Sequence, residues 1–279
     1  MALTGAVLVL FMLAHVVGNL QMFGAPDKIN TYAHLLHALP PALLWGFRIV
    51  IAACIIVHLC LAIKLKLENL AARGTEDYDA KATRYAAFSA RFMIVSGLLL
   101  IVFIVLHLLQ FTVFKEAGML AQYENATSIT AVGGSGFFGY LGQHGNDAAV
   151  MKYEVFDVYQ MVYNAFSNPW ISLGYIVAML LLLSHLSHGA HSMFQSFGLR
   201  NEKLRPIFRV IAAIYAIFVS FGLISVPVAV LTGVIKPNPD TKAPIAQAAC
   251  PFTKCAAPCA EPASEAAPAE QAAAATDEK

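Results

Sequence analysis

Apolar positions in this chain run on rather than alternate. Five stretches stay apolar for the ~20 residues that a helix needs to cross a bilayer. They cover roughly residues 2–23, 43–65, 92–114, 170–194 and 207–235. The first has no basic leader, and its polar end, HVVGNLQ at 15–21, lacks a small-residue cleavage site. It therefore reads as a span and not as a signal peptide. No repeat of 20–50 residues is visible. The pattern predicts an all-α membrane protein, a five-transmembrane-helix bundle over residues 1–235.

The polar connections set the expected orientation. Lys64, Lys66, Arg73, Lys81, Arg84 and Arg91 cluster between the second and third spans, and Arg200, Lys203, Arg205 and Arg209 between the fourth and fifth. The other two connections hold only Lys28, Lys115 and Lys152. Basic loops stay inside, so the N-terminus is expected in the cytoplasm of a bacterium and the C-terminus outside its inner membrane. The long connection at 115–168 contains the glycine-rich GGSGFFG (133–139). It reads as surface decoration, with a lid as the alternative. Asn168, Pro169 and Trp170 read as N-cap, first helical residue and headgroup-level anchor. From Lys236 onward the chain is rich in Ala, Pro and Glu. It is expected to form a disordered tail, residues 236–279, because such a composition buries no core. Cys250, Cys255 and Cys259 lie there with a spacing that matches no trusted zinc pattern.

Composition narrows the class. Of 279 residues 58% are hydrophobic and 13% charged, about half the charged share of soluble domains. Mean hydropathy is +0.65. A soluble enzyme is excluded. Basic and acidic side chains number 18 and 17, so no electrostatic footprint for nucleic acid exists. Cys54 and Cys60 read as small apolar residues of the second span.

The candidate chemistry is histidine. His15, His58, His107, His185, His188 and His191 fall inside the apolar runs, where an ionisable side chain is costly and marks function by default. A histidine bonded to a neighbouring helix is the plainer alternative, but each of the first four spans carries at least one. Helical rise puts His15 and His107 about 20 Å above the inner end of their spans, and His58 and His185 about 22 Å below the outer end of theirs. The four form two pairs on two levels, roughly 12–15 Å apart. Two stacked bis-histidine sites suggest two haem b groups, with metal-binding through the axial imidazoles. Gly18 and Gly189 would admit a porphyrin face, or serve close helix packing. Zinc and copper fit less well, since they want three or four donors at one level. The chain has no C-x-x-C-H for covalent haem. His188 shares a face with His185 and is its rival as ligand. His191, deeper toward the cytoplasm, more readily meets water, a propionate or a quinone.

These features come with a resemblance. MALTG at 1–5, HVVGNLQ at 15–21, Phe47 and Arg48 with His58, SARFM at 89–93, Ser96 and Gly97, and HLLQFT at 107–112 carry it. So do DVYQMV at 157–162, HLSHG at 185–189 and SMFQSFG at 192–198. Over residues 2–235 the chain resembles the cytochrome b558-type, single-chain dihaem membrane anchor of succinate dehydrogenase and fumarate reductase, the succinate:quinone oxidoreductases. The resemblance implies His15 with His107 and His58 with His185 as axial ligands, the spacing to Gly198 favouring His185 over His188. It implies a flavoprotein subunit and an iron–sulfur subunit on the cytoplasmic face, and a quinone, menaquinone, as the redox partner. Such a chain serves the enzyme only within the complex. Two departures stand out. No acid lies beside His185, which puts a transmembrane proton path in doubt. Family members also carry residues ahead of the first helix that this chain does not show, so the natural start stays open.

Arg48 and Arg91 are candidate partners for outer and inner haem propionates, with snorkelling to lipid phosphate as the alternative. Asp27, His34 and His37, in the loop after the first span, are the candidate quinone residues, His37 foremost. A surface histidine pair is the plainer reading. The rival functions are the cytochrome b anchor of a hydrogenase or formate dehydrogenase, and a transporter using histidines as a proton relay, which predicts broken helices and inverted repeats.

Overall fold

The computed structural model describes residues 1–73, 88–113, 127–132, 151–199 and 201–241. Five of its helices are long and apolar enough to cross a membrane. In chain order these are α1 (Ala2–Asn19), α3 (Pro41–Arg73), α5 (Met93–Leu108), α7 (Pro169–Ser196) and α8 (Leu204–Leu231). Between them lie α2 (Pro26–His37), α4 (Phe88–Arg91) and α6 (Val158–Phe166). A 3-10 turn (Leu20–Phe23) follows α1, and a π turn (Leu109–Val113) follows α5.

Local chemistry fixes the ends. Asn168 caps α7 by accepting from the amides of Trp170 (2.9 Å) and Ile171 (3.4 Å), with Pro169 at the first turn. At its other end Gly198 takes φ +75°. The amides of Gly198 and Leu199 reach back to the carbonyls of Gln195 and Phe194, a Schellman stop that a residue with a Cβ would strain. α8 ends at Leu231, with Gly233 at φ +73°. The fifth apolar run therefore outlasts its helix by a few residues, because the left-handed glycine halts it.

The helices form a layered arrangement. α7 and α8 pack most closely together, α5 lies on α7, α3 lies on α1, and α1 also meets α7 and α8. The hydroxyl of Tyr215 donates to the Val9 carbonyl at 2.6 Å and ties α8 to α1. None of the α3 side chains from 41 to 72 is fully buried. Burial concentrates instead at one end of the bundle, hereafter the α2 end. There Met22, Ile29, Tyr159, Met161, Phe166, Val226 and Val230 share a core. A smaller core of Val16, Leu186, Ala216 and Val219 lies along the bundle.

Three expectations change. The chain is not all-α. Strands β1 (Thr127–Val132) and β2 (Met151–Phe156) pair antiparallel, Thr127 opposite Phe156 and Val132 opposite Met151, and the ladder contacts α2. A glycine-rich connection and short apolar runs gave no periodicity by which to foresee it. The segment carrying Asp27, His34 and His37 is a 12-residue helix rather than a loop, started by Pro26 and the apolar spacing of Ile29 and Leu35. The chain is also held past residue 235: Asn238 is buried and Lys236 accepts a hydrogen bond from Tyr159. The GGSGFFG segment and Cys250, Cys255 and Cys259 lie outside the described residues.

Candidate functional site

The histidines of four spans gather on two levels. Toward the α2 end, His15 of α1 and His107 of α5 meet with ring centroids 5.9 Å apart and planes at 89°. Phe11 stacks on His15 at 5.5 Å and Phe103 on His107 at 5.9 Å. Toward the Met1 end, His58 of α3 meets Thr4 and Gly5 of α1, and His185 of α7 meets Ser96 and Gly97 of α5. Thr4, which meets His58, precedes His15 by eleven positions, and Ser96, which meets His185, precedes His107 by eleven. At ~1.5 Å per residue the two levels are therefore roughly 16 Å apart along the helices, slightly more than the sequence arithmetic gave.

Hydroxyl groups lie against Nδ1 of three of the rings. Thr4 Oγ1 donates to the Met1 carbonyl at 2.8 Å and lies 3.2 Å from His58 Nδ1. Ser96 Oγ donates to the Met93 carbonyl at 3.0 Å and lies 3.3 Å from His185 Nδ1. The Tyr175 hydroxyl donates to Gln110 Oε1 at 2.8 Å and lies 3.1 Å from His107 Nδ1. A hydroxyl has one proton to give. A hydroxyl that gives its proton to that partner can only accept from the ring, and this geometry favours the Nδ1–H tautomer of His58, His107 and His185. Nε2 of each then keeps its lone pair, the arrangement a metal-binding neutral imidazole needs.

Two glycines let these rings approach. A Cβ on Gly97 would lie 3.2 Å from His185 Cε1, and one on Gly5 would lie 3.5 Å from His58 Cε1. The glycines singled out by sequence have other neighbours: Gly18 faces the Tyr32 ring and Gly189 faces Met93. Both serve helix packing. Thr4, Ser96 and Tyr175 were missed as site residues. A signal existed: hydroxyl–glycine–nine residues–histidine occurs in both the first and third spans. Tyr175 had none, since nothing local sets it across from His107.

The charged candidates lie on α2, α3 and α4. The Arg48 guanidinium lies 5.1 Å above the Trp45 ring and is half-buried, a cation–π contact within its own helix. Arg91 is exposed at the end of α4. Asp27 opens α2 and is exposed; His34 and His37 close it, half-buried and exposed respectively. His37 Nδ1 donates to the Ala33 carbonyl at 2.8 Å, leaving Nε2 outward. Burial holds the nearby Tyr32 phenol above its usual pKa.

Beneath α2 lies a polar clasp. Asp157 is fully buried and caps α6 by accepting from the Gln160 amide at 2.9 Å. It also accepts from Asn30 Nδ2 (3.0 Å), Asn238 Nδ2 (2.7 Å) and Thr241 Oγ1 (2.6 Å). Asn30 returns an acceptor to the Tyr159 amide at 3.0 Å, and Gln160 Oε1 accepts from the Asn238 amide at 2.8 Å. One carboxylate thus joins α2, α6 and the segment after α8. Burial, with the Asp157 carboxylate and Tyr163 nearby, holds the Tyr159 phenol above its usual pKa. Compared with models of protein families, curated proteins and solved structures, the chain finds no match.

Proposed function

We propose that this chain is the dihaem cytochrome b anchor of a succinate:quinone oxidoreductase in a bacterial cytoplasmic membrane. In this reading it relays electrons through two bis-histidine b haems, between an iron–sulfur subunit and menaquinone. The flavoprotein subunit completes the complex. The observation that carries the proposal is the pair of imidazole levels, with a hydroxyl against Nδ1 of three of the four rings. His15 with His107, and His58 with His185, would each hold one haem through neutral imidazole nitrogens. The side chains of α3 that no neighbour buries are apolar surface that a macrocycle and lipid can cover. The donor set and its surroundings fit haem.

When bound, each haem supplies one-electron carriage; orientation, burial and local charge come from the chain. Thr4, Ser96 and Tyr175 fix ring orientation and tautomer. Arg48, placed toward the α2 end, is suited to a propionate from that level, and Arg91 to one from the other. The α2 end is the outer side in this reading. There Asp27, His34 and His37 offer proton-exchanging groups at the membrane surface for quinone chemistry, and the Asp157 clasp holds α2 in place beneath them. Lys64 and Lys66, exposed on the inner part of α3, face the side on which the iron–sulfur and flavoprotein subunits would dock.

The test is haem stoichiometry on the purified full chain, from pyridine haemochrome and reduced-minus-oxidised spectra. Two b haems per chain are expected. His107→Ala and His58→Ala should each leave one, and His37→Ala should leave both while slowing quinol turnover. Protein made with haem in supply that retains no pigment ends the proposal. Co-purifying subunits and succinate:quinone activity then distinguish this complex from a hydrogenase or formate dehydrogenase.

A further inference from the structure

The two levels do not support their imidazoles in the same way. His58 and His185 rest against aliphatic hydroxyls, and both hydroxyls are anchored on main-chain carbonyls three residues back in their own helix. That carbonyl is part of the helix and keeps accepting whatever the neighbouring side chains do. His107 rests against a phenol instead, and the acceptor for the phenol's proton is the side chain of Gln110. Gln110 stands three residues after His107, in the π turn Leu109–Val113. A π turn rotates its residues off the regular helical face, and here Gln110 meets the same hydroxyl as His107. Tyr175 is also wedged among rings: Phe103 at 5.0 Å, Phe166 at 5.0 Å and Phe111 at 6.0 Å. Its ring is fixed in place, and its hydroxyl lies within hydrogen-bond reach of both Gln110 Oε1 and His107 Nδ1.

We propose that Tyr175 is the positioning residue for His107 and that Gln110 sets the direction of its hydrogen bond, so that Nε2 of His107 faces the metal. With Gln110 accepting, the phenol oxygen accepts from Nδ1–H and leaves the lone pair on Nε2. Without that acceptor, the phenol proton turns toward His107 Nδ1. The ring proton then belongs on Nε2, where it blocks ligation. Accepting from Nδ1–H also makes the ring a better electron donor to iron, which favours the oxidised metal and lowers the potential of that level.

The redox half of this inference rests on the dihaem reading; the tautomer half does not. On the purified full chain, Tyr175→Phe should keep both haems, raise one midpoint potential and leave the other unmoved. Ser96→Ala should move the other potential instead. Gln110→Leu should lower haem content from two toward one per chain, and Gln110→Glu, which keeps an acceptor, should restore two. Unchanged potentials in Tyr175→Phe, or two haems at parental potentials in Gln110→Leu, would overturn the inference. If Tyr175→Phe fails to fold, the Gln110 pair decides. If the parent chain binds no haem, the dihaem reading fails by itself. Histidine 15N spectra of that haem-free chain, with His107 assigned by His107→Ala, then decide the remainder. An Nδ1–H form in the parent and an Nε2–H population in Gln110→Leu support the inference; identical spectra reject it.

Discussion

Asp157 shows how much one side chain can organise. It is fully buried with four donors on its two oxygens. Each oxygen is fully used as an acceptor. Asp157→Asn replaces one oxygen by an NH2 group and sets donor against donor. The expected loss is about 1–3 kcal/mol, the cost of a buried polar group left without its partner, seen as a lower thermal midpoint in detergent. A midpoint within error of the parent chain would show that the clasp relaxes to accept the amide. The same residue also separates legible from hidden information. DVYQMV marked a specific position in the sequence, and a capping role for Asp157 ahead of an apolar-periodic helix is local. Its bonds to Asn30, Asn238 and Thr241 connect positions more than eighty residues apart, and no local rule pairs them.

At the scale of elements, the five spans were readable because a helix satisfies its own backbone in hydrocarbon and asks only for length and apolarity. Their packing was not, because every face of an apolar helix looks alike in the sequence. Gly222 illustrates this. It lies inside α8, where a Cβ would come 2.7 Å from Val16 Cγ2, and Val16 is fully buried on a stiff branched side chain. Gly174 in α7 is also helical, but a Cβ there meets nothing within 4 Å. Gly222→Ala should therefore destabilise by about 1–3 kcal/mol through overpacking. Gly174→Ala should stabilise by roughly 0.5–1 kcal/mol, because alanine loses less chain entropy than glycine in a helix. Thermal midpoints of the two variants shifting in the same direction would contradict the α1–α8 contact. The ladder of β1 and β2 and the helix α2 belong to the same lesson. The two strands lie against α2, and neither they nor α2 show in a reading confined to span-length apolarity.

For the molecule as a whole, the last described residues complete the cap. Tyr159 donates to the Lys236 carbonyl, and Asn238 and Thr241 both bind Asp157. Ending the chain after Ile235 should lower the thermal midpoint and open the α2 end to protease, because Asp157 and Gln160 lose partners while still buried. A truncated chain as stable as the full chain would show that the segment after α8 rests on the cap without supporting it.

By itself the sequence determined five helices long and apolar enough to cross a membrane, the start of one of them at Asn168, and a shared height for His15 and His107. These follow from length, apolarity, capping chemistry and helical rise, all of them local. The tertiary structure alone decided that α2 is a helix braced on a buried carboxylate, and that Gly97 and Gly5 make room for the imidazoles of His185 and His58. It also set Thr4, Ser96 and Tyr175 against Nδ1 of His58, His185 and His107. The reason is physical: a tautomer is set by where a neighbour's single proton goes, and for His107 that neighbour lies on another helix, sixty-eight residues away in the chain.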